Sequence, residues 1–191
     1  PVDRNRPAIR VARWFRRVGA RELPPLSLPP HDRVPSINQC AFGEHDLVIA
    51  FGTSIVSAAT LARVRQGILN LHTGWLPDSR GVKSEYWALA HGDHAKVGWT
   101  LHYMTPRLDD GPIVLRRAIP AAAANAAQLR ARLLSDAVPA LARFIDDARA
   151  HGVESIARAP QEGGAYFSAP TWREWLGHRR TMVTKRDPAL P

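Results

Sequence analysis

The sequence contains a single cysteine, Cys40, in 191 residues. One thiol excludes an intramolecular disulfide and a cysteine-based zinc site, and it fits a reducing compartment, so we expect a cytoplasmic protein. No apolar run approaches the ~20 residues that a membrane-spanning helix needs, and no signal peptide is visible. With 45% hydrophobic and 23% charged residues, the composition is that of an ordinary globular protein.

Lysine is also scarce. Lys83, Lys96 and Lys185 are the three lysines among 26 basic side chains, so arginine carries nearly all of the net charge of +9. A basic chain invites a nucleic-acid partner, but this arginine bias resembles a compositional trend more than a binding surface. Net charge informs on non-specific association and not on fold. We therefore expect neither nucleic acid nor a membrane as the partner.

The apolar pattern predicts one α/β domain. Leu47–Phe51 is a short continuous apolar run, typical of a strand buried on both faces of a parallel sheet. Ser57 is placed to cap a helix over Ala58–Arg65, and Ile68–Leu71 is the next strand. We expect a mostly parallel sheet with helices on both faces. The remaining predicted elements are strands over Val97–Tyr103 and Ile113–Ile119 and helices over Glu85–Ala90 and Ala126–Ala150.

An amide and an imidazole stand two residues apart at the end of the second apolar strand. Because residues i and i+2 of a strand face the same way, Asn70 and His72 should project together. Open α/β sheets place ligands at the carboxyl ends of their strands. An asparagine NH₂ and a protonated histidine are both donors, so this pair is suited to stabilising a developing oxyanion. A turn in which both side chains are simply satisfied is the alternative.

Two adjacent carboxylates, Asp109 and Asp110, lie in the loop between the last two predicted strands. Followed by Gly-Pro, such a pair often forms a turn. This loop, however, is expected to leave a strand at the edge where His72 lies, and a nearby carboxylate would favour the imidazolium form. An amide, a cationic acid and a carboxylate in one cleft suit acyl transfer through a tetrahedral intermediate.

The chain resembles the folate-dependent formyltransferases from about Asp46 to Pro120. The residues that carry the resemblance are Ile68-Leu69-Asn70-Leu71-His72-Thr73-Gly74-Trp75-Leu76-Pro77, Arg80-Gly81, Trp87-Ala88-Leu89, Gly92-Asp93 and Leu108-Asp109-Asp110-Gly111-Pro112-Ile113-Val114. Their order, spacing and types match the family's core. Asn-x-His alone is a weak signal, but its combination with Leu-Pro, Arg-Gly and a later Leu-Asp-x-Gly is specific.

The resemblance implies a Rossmann-like fold and transfer of a formyl group from 10-formyltetrahydrofolate to a primary amine. It implies that Asn70, His72 and Asp109 are catalytic, with protonated His72 and Asn70 donating to the oxyanion. It also implies that two loops contact the folate, and no metal is expected. The folate-contacting residues would be Gly52, Thr53, Ser54, Ile55, Val56, Met104, Leu108 and Asp110.

Two features bear on the acceptor and on the domain limits. Residues 1–159 are expected to form the domain, with residues 1–45 as a truncated or divergent opening segment and residues 160–191 as an irregular tail. A glycine-rich phosphate loop is missing, and the tail is short for the β-barrel of the family's tRNA enzymes. A small-molecule amine, such as a nucleotide-linked amino sugar, is then the expected partner.

Two other functions stay open. A formyltetrahydrofolate hydrolase on the same scaffold would release formate without an amine acceptor. A non-catalytic basic interaction module is the other, favoured if the short N-terminus leaves the cleft unformed.

A basic amphipathic helix is predicted over Val11–Val18. It would pack its Trp14 and Phe15 on the sheet.

Overall fold

A computed structural model describes residues 36–42, 47–92, 94–120 and 125–177. The predicted alternation of strands and helices is confirmed, with boundaries shifted by one or two residues. The strands are β1 (Val48–Ala50), β2 (Ile68–His72), β3 (Arg80–Gly81), β4 (Gly98–Tyr103), β5 (Ile113–Ala118) and β6 (Tyr166–Phe167). The helices are α1 (Ala58–Arg63), α2 (Ser84–His91) and α3 (Ala126–His151).

The main sheet has the strand order β1-β2-β4-β5. Strands β1 and β2 are parallel, as predicted, but β2 with β4 and β4 with β5 pair antiparallel. Within the described residues the sheet is therefore mixed, with one parallel and two antiparallel pairs. The antiparallel pairing of β4 with β5 follows from their short connection, residues 104–112. A parallel crossover needs about a dozen residues or more, whereas a hairpin does not.

One face of the sheet packs on the long helix α3. Alternate strand residues, including Leu69, Leu71 and Leu101, meet a helix stripe that contains Leu129 and Leu133, and all five are buried. The stripe recurs at the three- and four-residue spacing of one helix face. Asn125 caps α3 by accepting a hydrogen bond from the backbone N–H of Gln128. This face holds the main hydrophobic core.

The opposite face carries a smaller apolar cluster and the short helix α1. The cluster is centred on buried Ile68, with Ala50, Val56 and Val64 around it. Ser57 caps α1 by accepting from the N–H of Thr60, as its position predicted. Helices thus lie on both faces, which confirms the α/β class. This cluster occupies one end of the face and leaves the region around Asn70 and His72 for polar groups.

The C-terminal region is partly regular, which corrects the expectation of an irregular tail from residue 160. Strand β6 pairs in parallel with β3, and a helix begins at residue 172. The backbone N–H of Arg80 donates to the carbonyl of Ala165, and that of Val82 donates to the carbonyl of Phe167. Residues 161–168, called the C-terminal strap below, therefore cross the Arg80–Gly81 segment.

The helix predicted over Val11–Val18, with Trp14 and Phe15, lies outside the described residues, as do residues 178–191. Among the helices of the described ranges, none combines the length and the apolar character that crossing a membrane requires.

Removal of the Leu129 side chain tests the packing of α3 on the sheet. Leu129 is fully buried in the main core, so Leu129→Ala should lower the free energy of unfolding by about 2–5 kcal/mol. Denaturant unfolding measures this loss. Leu134→Ala on the same helix is the matched control, because Leu134 is only partly buried and should cost less. Equal losses for the two variants would contradict the assigned packing.

Candidate active site

Three polar side chains share the face of the sheet opposite α3. Asn70 and His72 lie two residues apart on β2 and point to the same side, as predicted. The antiparallel register places His102 of β4 directly opposite Asn70. The Nδ2 atom of Asn70 lies 3.2 Å from Nε2 of His102, so the cross-strand pair is hydrogen-bonded. The strands thus supply one amide and two imidazoles.

The carboxylate of Asp109 completes this cluster. Its Oδ1 lies 3.4 Å from Nδ2 of Asn70, and its Oδ2 lies 3.7 Å from Nδ1 of His72. The backbone N–H of Gly81 donates to the same Oδ2 at 2.9 Å. Asp109 is 8% exposed, so this charge is buried among donors and not solvated. The structure therefore brings Asn70, His72 and Asp109 together.

The route by which Asp109 arrives differs from the sequence-based expectation. Because β4 runs antiparallel to β2, the loop after Tyr103 starts beside Ile68, where the N–H of Met104 donates to the Ile68 carbonyl at 2.7 Å. The loop then returns so that Asp109 reaches Asn70 and His72. Asn70 and His72 end β2 beside Ala50, the last residue of β1, so the cluster lies at the carboxyl end of this parallel pair.

The hydrogen-bond partners of His72 assign its tautomer. Its Nε2 lies 2.7 Å from the carbonyl oxygen of Ser79, which only accepts, so Nε2 carries a hydrogen. The hydroxyl of Ser84 lies 3.1 Å from the same nitrogen. In the neutral ring, Nδ1 then has a free lone pair directed toward Asp109. A proton bound to Nδ1 of His72 would be stabilised by the negative charge of Asp109, whose Oδ2 lies 3.7 Å away.

Burial lowers the pKa of His72 below its ordinary 6.5, although the charge of Asp109 and the Ser79 carbonyl act in the opposite direction. This shift favours the neutral imidazole near pH 7 in the protein without substrate. Burial alone would raise the pKa of Asp109, but the contact with His102, the attraction to protonated His72 and the Gly81 N–H outweigh it. The pKa of Asp109 is lowered below 3.8.

His102 is a site residue that the sequence analysis did not single out. It lies in an otherwise apolar strand and is 1% exposed. Its Nδ1 donates to the carbonyl of Tyr103 at 2.9 Å, which leaves Nε2 to meet Asn70 and Asp109. The available signal in the sequence was a histidine within a strand predicted to be buried, but only the β2–β4 register shows which residue it meets.

In the described ranges, no group of three or more His, Cys, Asp or Glu side chains is arranged to hold a metal ion.

The predicted folate-contacting residues divide into exposed and buried groups. Gly52, Thr53 and Ser54 are exposed, and Ile55 is 84% exposed. Leu108, on the other loop, is 47% exposed. In contrast, Val56 is buried and Met104 packs on the same apolar cluster, so these two side chains anchor the loops. Asp110 is half-buried and pairs with Arg80 at 2.8 Å and with Arg107 at 3.1 Å.

These features define an α/β protein with a buried polar cluster, whose groups are of the types that can transfer protons and donate to a negatively charged oxygen. A family model described as formyl transferase matches residues 38–145, which include every residue of the cluster. The chain belongs to the formyl transferase family.

Known relatives agree with this assignment. The chain is 28% identical over 152 residues to a methionyl-tRNA formyltransferase of Chlorobium chlorochromatii, covering 76% of this chain and 47% of the relative. It is 37% identical over 101 residues to that of Trichlorobacter lovleyi, covering 51% and 31%. The chain therefore spans about half the length, or less, of these curated relatives.

A solved structure supports the fold. The formyltransferase PseJ from Anoxybacillus kamchatkensis, in complex with UDP-4,6-dideoxy-4-formamido-L-AltNAc and tetrahydrofolate, superimposes with a TM-score of 0.59. The identity is 24%, and the match covers 69% of each chain. A 4-N formyltransferase from Francisella tularensis has a TM-score of 0.58 at 20% identity, covering 78% of this chain and 64% of that one.

The lowered pKa of His72 predicts a stability change with pH. The unfolded chain binds a proton at about pH 6.5 and the folded protein binds it only at lower pH, so folding is penalised as pH falls below 6.5. The free energy of unfolding should therefore fall from about pH 7 to about pH 5.5, and His72→Gln should reduce that slope. The stability that ionised Asp109 provides is lost only as pH falls below about 3.8, outside this window. Identical slopes for parent and variant in urea titrations would contradict the burial effect.

Proposed function

We propose that this chain transfers a formyl group from 10-formyltetrahydrofolate to the primary amine of a small molecule. The observation that carries the proposal is the convergence of Asn70, His72 and Asp109 on one sheet face, in a chain of the formyl transferase family. An amide donor, an imidazole and a buried carboxylate are the groups that acyl transfer to an amine requires.

We expect the two predicted loops to hold the folate. Loop 52–56 leaves the carboxyl end of β1, and the register of Ala50 with Asn70 places it beside the cluster. Loop 104–110 is fixed next to it, because buried Val56 and Met104 meet the same apolar cluster. Exposed Ile55 and Leu108 then offer apolar surface to a pterin ring. The N–H of Met104 already donates to Ile68, so the other backbone groups of these loops would hold the ring.

The bound folate supplies the formyl group, and Asn70 acts on its oxygen. In the resting protein one N–H of Asn70 reaches Asp109 at 3.4 Å, which is long for such a bond. Exchange of this contact for the formyl oxygen would give a stronger hydrogen bond as negative charge develops there. Because Asn70 is held from the other side by His102, its amide needs little reorganisation.

Asp109 and His72 handle the proton that the attacking amine loses. Asp109 stays ionised because its pKa is low, and Nδ1 of His72 faces it with a free lone pair. The amine proton is therefore received between these two groups, directly or through one water. The imidazolium so formed is stabilised by Asp109 and by the Ser79 carbonyl. His72 would then return this proton to the nitrogen that leaves the formyl carbon, so the proton lost by the amine is the one gained by the leaving group.

We propose a nucleotide-linked amino sugar as the acceptor class. PseJ, whose fold this chain shares, was solved with a UDP-linked formamido sugar. Methionyl-tRNA is the second candidate, since the curated relatives are methionyl-tRNA formyltransferases. Both acceptors are amines on anionic carriers, so the same site chemistry would serve either.

Two substitutions test the catalytic assignment. Asp109→Asn is nearly isosteric and should keep the fold while removing the charge that receives the proton. Asn70→Ala removes one donor, and losses for such donors are on the order of 10²–10³ in turnover. Folate binding should change little in both variants, because the loops hold the ring. Steady-state formyl transfer and folate titration measure the two effects. Parental turnover in the double variant would show that the chemistry lies elsewhere.

A panel of amines tests the acceptor. Formyl transfer should be faster to amino sugars linked to nucleoside diphosphates than to the free amino sugars, as expected for a site that recognises the nucleotide together with the sugar. Methionyl-tRNA is assayed in parallel, and preference for it would overturn the sugar assignment. Formate released without any amine is the control for hydrolysis. Hydrolysis at a rate equal to transfer would favour the hydrolase instead.

A further inference from the structure

One glutamine of the C-terminal strap contacts the turn that carries Asp109. The Nε2 of Gln161 donates to the backbone carbonyl of Asp109 at 3.2 Å and to that of Gly111 at 2.6 Å. These bonds join residues about fifty positions apart in the sequence. They involve both hydrogens of the amide NH₂, so the strap is hydrogen-bonded to two carbonyl groups of the turn.

The oxygen of the same amide holds the neighbouring segment. Its Oε1 accepts from Nη2 of Arg80 at 3.2 Å and from Nε at 3.4 Å. Arg80 also pairs with Asp110 at 2.8 Å, and the next residue, Gly81, donates its N–H to the Asp109 carboxylate. One side chain thus connects the two segments that fix the carboxylate, and the types of its partners assign the amide orientation.

The turn at Asp109 requires such support. The backbone of Asp109 has a φ of +49°, in the left-handed region that residues other than glycine rarely adopt. At Gly111 the turn packs directly against the backbone of β4. A Cβ there would lie 1.9 Å from the Tyr103 carbonyl oxygen, so only glycine fits. The Asp109 carbonyl, in contrast, is held by the Gln161 amide. An unusual conformation persists only where its surroundings determine it.

We propose that Gln161 is a positioning residue that sets the Asp109 carboxylate against His72 and Asn70. This inference rests on the proposed formyl transfer for its kinetic consequence, but its structural consequence stands alone. Gln161 touches neither His72 nor Asn70 and acts through the backbone of the Asp109 turn. The C-terminal strap is therefore part of the catalytic arrangement.

The electrostatic consequence has a definite sign. The charged and titratable groups that act on His72 are Asp109 from the loop, His102 from β4 and Glu85 from α2. The charges of Asp109 and Glu85 raise the pKa of His72, while that of His102 lowers it. If the turn moves away when Gln161 is lost, the pKa of His72 should fall further. The ion pair between Arg80 and Asp110 involves the residue next to Asp109, so it should move together with the turn.

Two substitutions separate positioning from simple anchoring of the strap. Gln161→Met keeps the length and loses every hydrogen bond. Gln161→Glu keeps the acceptor for Arg80 but turns an oxygen toward the two carbonyls of the turn. Both should lower kcat by about 10²-fold, the size expected for a catalytic group displaced by about 1 Å, with KM values for folate and amine nearly unchanged. Exposed Glu162→Gln is the matched control and should keep parental kcat.

Parental kcat in Gln161→Glu would overturn the proposal, because the bond to Arg80 alone would then suffice. A second readout does not need turnover: the titration midpoint of His72, followed by NMR of its ring protons. In Gln161→Met the midpoint should move down toward that of Asp109→Asn, and in Glu162→Gln it should stay. An unchanged midpoint in folded Gln161→Met overturns the positioning role. A shifted midpoint in a protein whose parent transfers no formyl group would overturn the proposed function alone.

Discussion

The antiparallel pairing of β2 with β4 sets the positions of Asn70, His72 and His102 at the candidate active site. Its register places Asn70 opposite His102 and so builds a hydrogen-bonded pair across two buried strands. The alternation of side chains along both strands then directs the polar groups to one face and leucines to the other, where α3 covers them. A shift of one residue in this register would exchange the two sets, so the core and the site are fixed by the same hydrogen bonds.

Burial is what makes the polar cluster chemically useful. Water is largely excluded from Asp109, and the carboxylate remains ionised because donors surround it. The same burial lowers the pKa of His72, which favours the neutral imidazole. The hydrogen-bond partners of the cluster come from three different parts of the chain. A rigid sheet thus carries Asn70 and His72, while the more local turn at Asp109 depends on neighbouring segments.

Segments remote in sequence meet around that turn. Gly81 and the C-terminal strap approach so closely that a Cβ on Gly81 would lie 2.1 Å from the Phe167 carbonyl oxygen. The backbone of Gly81 also has a φ of +101°, which other residues avoid. The glycine of the Arg-Gly pair is therefore needed for two reasons, close approach and backbone conformation. The N–H of Gly81 does not pair with the strap and donates instead to the Asp109 carboxylate.

The sequence by itself determined the α/β class, the positions of the four strands of the main sheet, the Ser57 cap and the common side of Asn70 and His72 on β2. Each of these is local, set by apolar periodicity, by capping or by the two-residue repeat of a strand. Strand direction, the place of His102 and the path of the loop to Asp109 were decided by tertiary structure. An apolar run has no direction, and a hydrogen-bond partner thirty or more residues away leaves no mark in local pattern. The strap shows the same limit, because its strand exists only where β3 pairs with it.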